Sequence, residues 1–170
     1  MPTPNSSRKE SYSGEYMFTG KKSEEVVHTY LKQNYENIVD VRDDVEYRKV
    51  GVDFIADGIK FEVKSNYMIG KTQTMLFELF RLYHDGANIR LGWSVTTEAD
   101  IIAVHCPRTK TLHMIKIEDV KRAMLDEVGS VIDDMDKLKL IVVPTDENKT
   151  TFLIPLTVKQ EIIELDKKTP

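Results

Sequence analysis

Apolar and polar residues alternate through Val52, Phe54 and Ala56 and again through Ile59, Phe61 and Val63, with Asp57-Gly58 between the two runs. Period-two alternation marks half-buried strands, and Asp-Gly between such runs marks a two-residue hairpin turn. The turn predicts the register: Ala56 opposite Ile59, Ile55 opposite Lys60, Phe54 opposite Phe61, and Asp53 opposite Glu62. One face then carries Val52, Phe54, Ala56, Ile59, Phe61 and Val63 toward a core. The other carries Asp53, Ile55, Lys60, Glu62 and Lys64.

Around the hairpin the pattern changes period. Glu24, Val27 and Leu31 recur at i, i+3 and i+7, which predicts a helix from about Ser23, as N-cap, to Gln33. Glu24 falls on its packed stripe, and Glu25 lies nearer solvent with His28 and Thr29. Ile38 to Val50 reads as an edge strand with a loop. Met75, Leu76, Leu79, Phe80 and Tyr83 repeat at helical spacing and predict a helix over Thr72 to His84, with a core stripe and with Glu78 and Arg81 on its other side. Ile101 to His105 and Thr111 to Ile117 read as strands, followed by a helix from Glu118 to about Val128. Leu138 to Val143 and Thr151 to Ile154 read as a closing strand pair, and Val158 to Leu165 as a short final helix. Strands and helices are thus both expected along the chain. Residues 1–19, polar and rich in Ser and Pro, are expected to form a flexible N-terminal arm. Residues 20–170 are expected to form a single domain, with its core in 20–117 and a C-terminal helix and strand extension in 118–170.

Composition narrows the function. The chain shows neither a membrane-length apolar run nor a signal-peptide pattern. Its one cysteine, Cys106, sits in a strand-like run and reads as structural, which suits a reducing, cytoplasmic setting. The four histidines lack zinc-ligand spacing. No glycine loop of the ATP- or NAD-binding type occurs. The net charge of −4 argues against a generic basic nucleic-acid binder. That excess lies entirely from Glu118 onward; up to Ile117 the charges cancel.

The hairpin carries the candidate chemistry. Carboxylates directly opposite on a sheet have Cβ atoms roughly 5 Å apart and repel. A hard divalent ion between them reverses that sign. Lys64, on the same face, can position a water or stabilise a developing oxyanion. Acid, acid and lysine around a hard ion form a constellation for phosphodiester hydrolysis. Glu24 adds a third acid. The bland alternative is an exposed ladder of charges on an ordinary hairpin.

Glu24 in a first helix, Val52-Asp53 opening a strand and Glu62-Val63-Lys64 closing the next resemble the PD-(D/E)XK nuclease superfamily, the restriction-endonuclease-like fold. The order is similar to that of small phage nucleases and Holliday-junction resolvases, over about Gly20 to Ile117. The resemblance implies an α/β fold, a central mixed β-sheet flanked by helices, and a metal-dependent DNA nuclease, an endonuclease more than an exonuclease. Asp53, Glu62 and the Val63 carbonyl would bind Mg²⁺, with Mn²⁺ as substitute. Lys64 would act on the attacking water and Glu24 would complete the metal site. DNA is the implied partner, no membrane is involved, and paired cuts would suit a homodimer. Val52 replaces the motif's proline, and Gln73-Thr74-Met75-Leu76-Phe77 departs from the Gln-x-x-x-Tyr of some members. Gly92-Trp93 followed by Ala99-Asp100 is similar to a recurring feature of the phage enzymes, which implies structural roles; base stacking by Trp93 is a sharper idea. Glu78 reads as either a further site acid or a solvated charge. A catalytically inactive nucleic-acid-binding or interaction module with the same fold is the alternative reading.

Overall fold

A computed structural model describes residues 7–67, 69, 74–84, 88–130, 140–146 and 148–165. In chain order the elements are α1 (Ser7–Asn34), β1 (Ile38–Asp40), α2 (Val45–Lys49), β2 (Phe54–Ala56), β3 (Ile59–Ser65), β4 (Thr74–Tyr83) and β5 (Asn88–Leu91). There follow α3 (Trp93–Thr96), β6 (Ile101–Cys106), β7 (Thr111–Lys116), α4 (Ile117–Ser130), β8 (Ile141–Asp146), β9 (Lys149–Thr157) and β10 (Glu161–Glu164). They build a six-stranded sheet, β1-β2-β3-β6-β7-β10, and a four-stranded sheet, β5-β4-β9-β8. The first sheet is mixed, because β3 and β6 run parallel while its other pairs are antiparallel. The protein is therefore of mixed α/β class.

The larger sheet is the middle layer. On one face Phe54, Phe61, Val63, Ala103, Leu112 and Met114 pack against Val27 and Leu31 of α1. On the other, Ile102, Val104, Cys106 and Ile115 pack against Met75, Phe77, Ile154 and Leu156 of the smaller sheet and Val120 and Met124 of α4. Burial on both faces explains why β6 reads as an unbroken apolar run. Cys106 is fully buried there, in keeping with a structural role.

Several elements differ from the sequence reading. The helix at Thr72–His84 is strand β4, paired with β5 and β9. Its aromatic and apolar residues suit a pleated surface as well as a helix, and the β9 partner lies far away in sequence. The final helix is instead strand β10, whose Ile162 and Ile163 pair with the open edge of β7. Val45–Lys49 is a short helix rather than strand, because the Asp44 side chain accepts the Glu46 and Tyr47 N–H groups as an N-cap. Only Ile38–Asp40 remains as the edge strand. Helix α1, Ser7–Asn34, takes in most of the segment expected as an arm, and no proline lies within it to stop it. Ser23 is thus no N-cap. It is buried mid-helix with its Oγ 2.9 Å from His105 Nδ1. Residues 68 and 70–73, which include Gly70, Lys71 and Gln73, lie outside the described residues.

Candidate functional site

The turn forms as its sequence dictates. Asp57 and Gly58 both have positive φ, 48° and 83°, which is the two-residue hairpin geometry. Ala56 pairs with Ile59, Ile55 with Lys60 and Phe54 with Phe61, in the register expected. Asp57 also braces the hairpin from outside: its carboxylate accepts the Asn37 N–H at 2.8 Å and the Glu36 N–H at 3.3 Å.

The regular ladder stops at Phe54. The Asp53 N–H donates to the Phe61 carbonyl at 2.8 Å, so Asp53 and Phe54 both address Phe61. Two residues facing one is a bulge, and a bulge re-aims side chains. It has two consequences. Val52, expected on the face of Phe54, packs instead in the cluster on the opposite face of the sheet. Asp53 and Glu62 are not a flat cross-strand pair. Asp53 swings into line with the strand edge, where its Oδ2 accepts the Val63 N–H at 2.7 Å, and its carbonyl accepts the Val41 N–H at 3.1 Å.

Glu62 is only 3% exposed. Its Oε1 lies 2.5 Å from Lys64 Nζ, and its Oε2 is buried with no hydrogen-bond partner. Gly51 makes room for it. With φ at +66°, Gly51 lies so close that a Cβ there would sit 3.1 Å from both Glu62 oxygens and from Thr97 Oγ1. The Thr97 hydroxyl donates to the Gly51 carbonyl at 3.0 Å and also favours the charged form of Glu62 beside it. Lys64 Nζ also lies 4.7 Å above the centre of the Trp93 ring.

Glu24 reaches the site from α1. As expected it is more covered than Glu25, with side-chain exposures of 31% and 60%. Both contact Arg42, Glu24 Oε2 at 3.3 Å and Glu25 Oε1 at 2.7 Å, and Asp40 Oδ2 lies 2.5 Å from the same guanidinium. Arg42 also lies over the Phe54 ring, 4.8 Å from its centre. Sequence reasoning passed over Arg42. Its signal was a lone arginine two residues after Asp40 in an acid-rich stretch.

The carboxylates are electrostatically linked through Asp53. Burial pushes Asp53 above the usual carboxylate range, opposed by the Val63 N–H and by Lys64. Burial likewise raises Glu62 against the pull of Lys64, and the Asp53 charge adds to the rise. Burial and then Asp53 raise Glu24 against Arg42. Asp40 is held low by its hydrogen bond from Arg42.

No family model, curated protein or solved structure matches this chain. Its function must be read from its own geometry.

Among the described residues no group of three or more His, Cys, Asp or Glu side chains is arranged to hold a metal ion. The groups that fit a hard cation are nonetheless identifiable. Glu62 offers a buried carboxylate whose Oε1 meets Lys64 and whose Oε2 is open to a further partner, and the Asp53 carboxylate, anchored on the Val63 N–H, is near enough for its charge to be felt there.

The other singled-out residues fall into place around this centre. Glu78, at 8% exposure, is no solvated charge: its Oε1 lies 2.7 Å from Arg81 Nη2 and accepts the Trp93 N–H at 3.4 Å. Asp100 is structural, accepting the Lys60 N–H at 2.8 Å and donating its own N–H to the Lys60 carbonyl. The histidines are engaged separately: His28 stacks on Phe54, His84 meets Thr150, His105 meets Ser23, and His113 meets Thr111 and Gln160. No helix among the described residues is long and apolar enough to cross a membrane.

Proposed function

We propose that this chain is a metal-dependent deoxyribonuclease with a restriction-endonuclease-like core, an endonuclease more than an exonuclease. The observation that carries the reading is Glu62, a buried carboxylate with Oε2 left without a hydrogen bond, grouped with the half-buried Asp53 carboxylate and a lysine. A buried carboxylate oxygen of this kind calls for a bound ion, a water or a catalytic role. Asp53, Glu62 and the Val63 carbonyl would hold Mg²⁺, with Glu24 binding directly or through water, and Mn²⁺ would substitute. When bound, the ion supplies Lewis-acid polarisation of the phosphoryl group and a more acidic water.

The chain's own groups do the remainder. Asp53 is fixed by the Val63 N–H, so its carboxylate is oriented before any ligand arrives. Lys64, held between Glu62 and the Trp93 face, presents a positive charge to the phosphate and orients the attacking water. The water oxygen bonds to phosphorus and loses its proton to solvent, the P–O bond to the departing sugar oxygen breaks, and that oxygen takes a proton from solvent to leave as a free hydroxyl. DNA is the proposed partner, a homodimer would supply paired cuts, and a reducing cytoplasm suits the lone cysteine.

The test is cleavage of branched, single-stranded and duplex DNA with Mg²⁺ or Mn²⁺. Asp53→Ala, Glu62→Ala and Lys64→Ala should each lower the rate by about a hundredfold or more while circular dichroism stays that of the parent. An Asp53→Ala protein that cuts like the parent removes the assignment. DNA binding with no metal-dependent cleavage by the parent supports the inactive binding module instead.

A further inference from the structure

We propose that Arg81 and Arg90 form a phosphate-binding clamp for a nucleic-acid strand, at the far end of a ledge that begins at Lys64. The inference rests on the nuclease reading only for where the scissile phosphate lies.

Arg81 and Arg90 are direct cross-strand partners on β4 and β5. Like charges in that position repel, so the pairing costs stability unless an anion joins them. Glu78 ion-pairs with Arg81 at 2.7 Å, and among the described residues no carboxylate ion-pairs with Arg90. Arg90 lies on an exposed edge strand with its guanidinium 5.0 Å above the Tyr83 ring. Stacking uses the face of a guanidinium and leaves its in-plane N–H donors for a forked anion such as phosphate.

A continuous set of contacts joins this pair to the candidate centre. Arg81 meets Glu78, Glu78 accepts the Trp93 N–H, and Trp93 lies under Lys64, which meets Glu62. The ledge is pinned at Gly92, whose N–H donates to the Leu79 carbonyl at 2.6 Å, and by the Ser94 hydroxyl, which donates to the Glu78 carbonyl. A Cβ at Gly92 would run into the Glu78 backbone, so only glycine permits this approach. Lys64 and Arg81 are thus tied to each other through Trp93 and Glu78, and Arg90 stands opposite Arg81 on β5. The rings beside them are engaged by cations: Trp93 carries Lys64 and abuts Phe77, and Tyr83 carries Arg90. The group recognised is therefore the phosphate backbone rather than the bases, which replaces base stacking as the role of Trp93.

The experiment measures binding of the full chain to labelled oligonucleotides in EDTA across a salt series, so that catalysis plays no part. Arg90→Ala should weaken binding about threefold to tenfold and reduce the slope of log K against log salt by about one contact. Arg90→Glu should weaken it further. Arg122→Ala, at an exposed position of α4, is the control for diffuse charge and should match the parent. An abasic strand should show the same dependence on Arg90. The inference is overturned if the parent does not bind, if Arg90→Ala and Arg90→Glu bind with the parent's slope, if Arg122→Ala loses as much, or if the abasic strand does not bind. Dependence on Arg90 without metal-dependent cleavage would remove the nuclease reading and leave the clamp standing.

Discussion

Replacing Glu62 by glutamine removes a charge that the fold buries at a cost. The side chain keeps its shape, while the repulsion from Asp53 and the desolvation of a carboxylate both disappear. Glu62→Gln should therefore raise the melting temperature of the metal-free protein by about 2–4 °C, equivalent to about 1 kcal/mol at this chain length, while abolishing metal-dependent cleavage. A lower melting temperature would show that the Lys64 ion pair outweighs desolvation. The pH dependence has the same origin. Asp53, Glu62 and Glu24 have folded-state values above their ordinary ones. Their contribution to stability is complete below the usual carboxylate range and is lost as pH rises through the raised values. Acidifying the metal-free parent from neutral into that window should raise its melting temperature relative to an Asp53→Asn/Glu62→Gln double variant, as scanning calorimetry over a pH series would show. A parallel pH response of the two proteins would contradict the burial of these charges.

The hairpin is the element on which these side chains depend. Its turn needs positive φ at two consecutive residues, and Gly58 adopts that conformation without strain. Gly58→Ala should cost about 1–2 kcal/mol. Asp57→Ala removes the acceptor of the Asn37 and Glu36 N–H groups and should destabilise the fold, seen in urea unfolding as a lower midpoint with unchanged slope. Either loss should weaken cleavage in proportion to unfolding and leave the folded fraction active. Gly92→Ala should behave differently. It forces β4 and the start of α3 apart, which moves Trp93 away from Lys64. Activity should then fall much more than stability, a divergence that paired melting and rate measurements detect. The β4 assignment shows why element type was hard to read. Met75, Leu76, Leu79, Phe80 and Tyr83 satisfy a helical period, yet the strand inserts Met75 and Phe77 into the core and shifts register between Glu78 and Phe80. The bulge there breaks the period-two signal that would have marked a strand.

At the scale of the whole molecule, the larger sheet is held between α1 on one face and the smaller sheet with α4 on the other, and the candidate centre sits where both cores approach Asp53. A ligand that binds only this assembled state stabilises it. Saturation with Mn²⁺ at about a hundred times its dissociation constant should add about 2.7 kcal/mol and raise the melting temperature of the parent by several degrees, with little shift in Asp53→Asn. No shift in the parent would count against the metal site. Local chemistry determined much of this in the sequence alone: the Asp57-Gly58 turn, the register from Ala56 to Phe54, the α1 stripe of Val27 and Leu31, strands β6 and β7, and the grouping of Glu62 with Lys64. These depend on neighbours within a few residues, so period and turn residues suffice to specify them. Tertiary structure alone decided the bulge that turns Asp53 toward Val63, the strand identity of β4 and β10, the recruitment of Arg42, and the burial of Glu78 and of Glu62 Oε2. Each of those depends on a partner distant in the chain, and a short window of sequence carries no information about which distant segment will arrive to pair with it or exclude water from it.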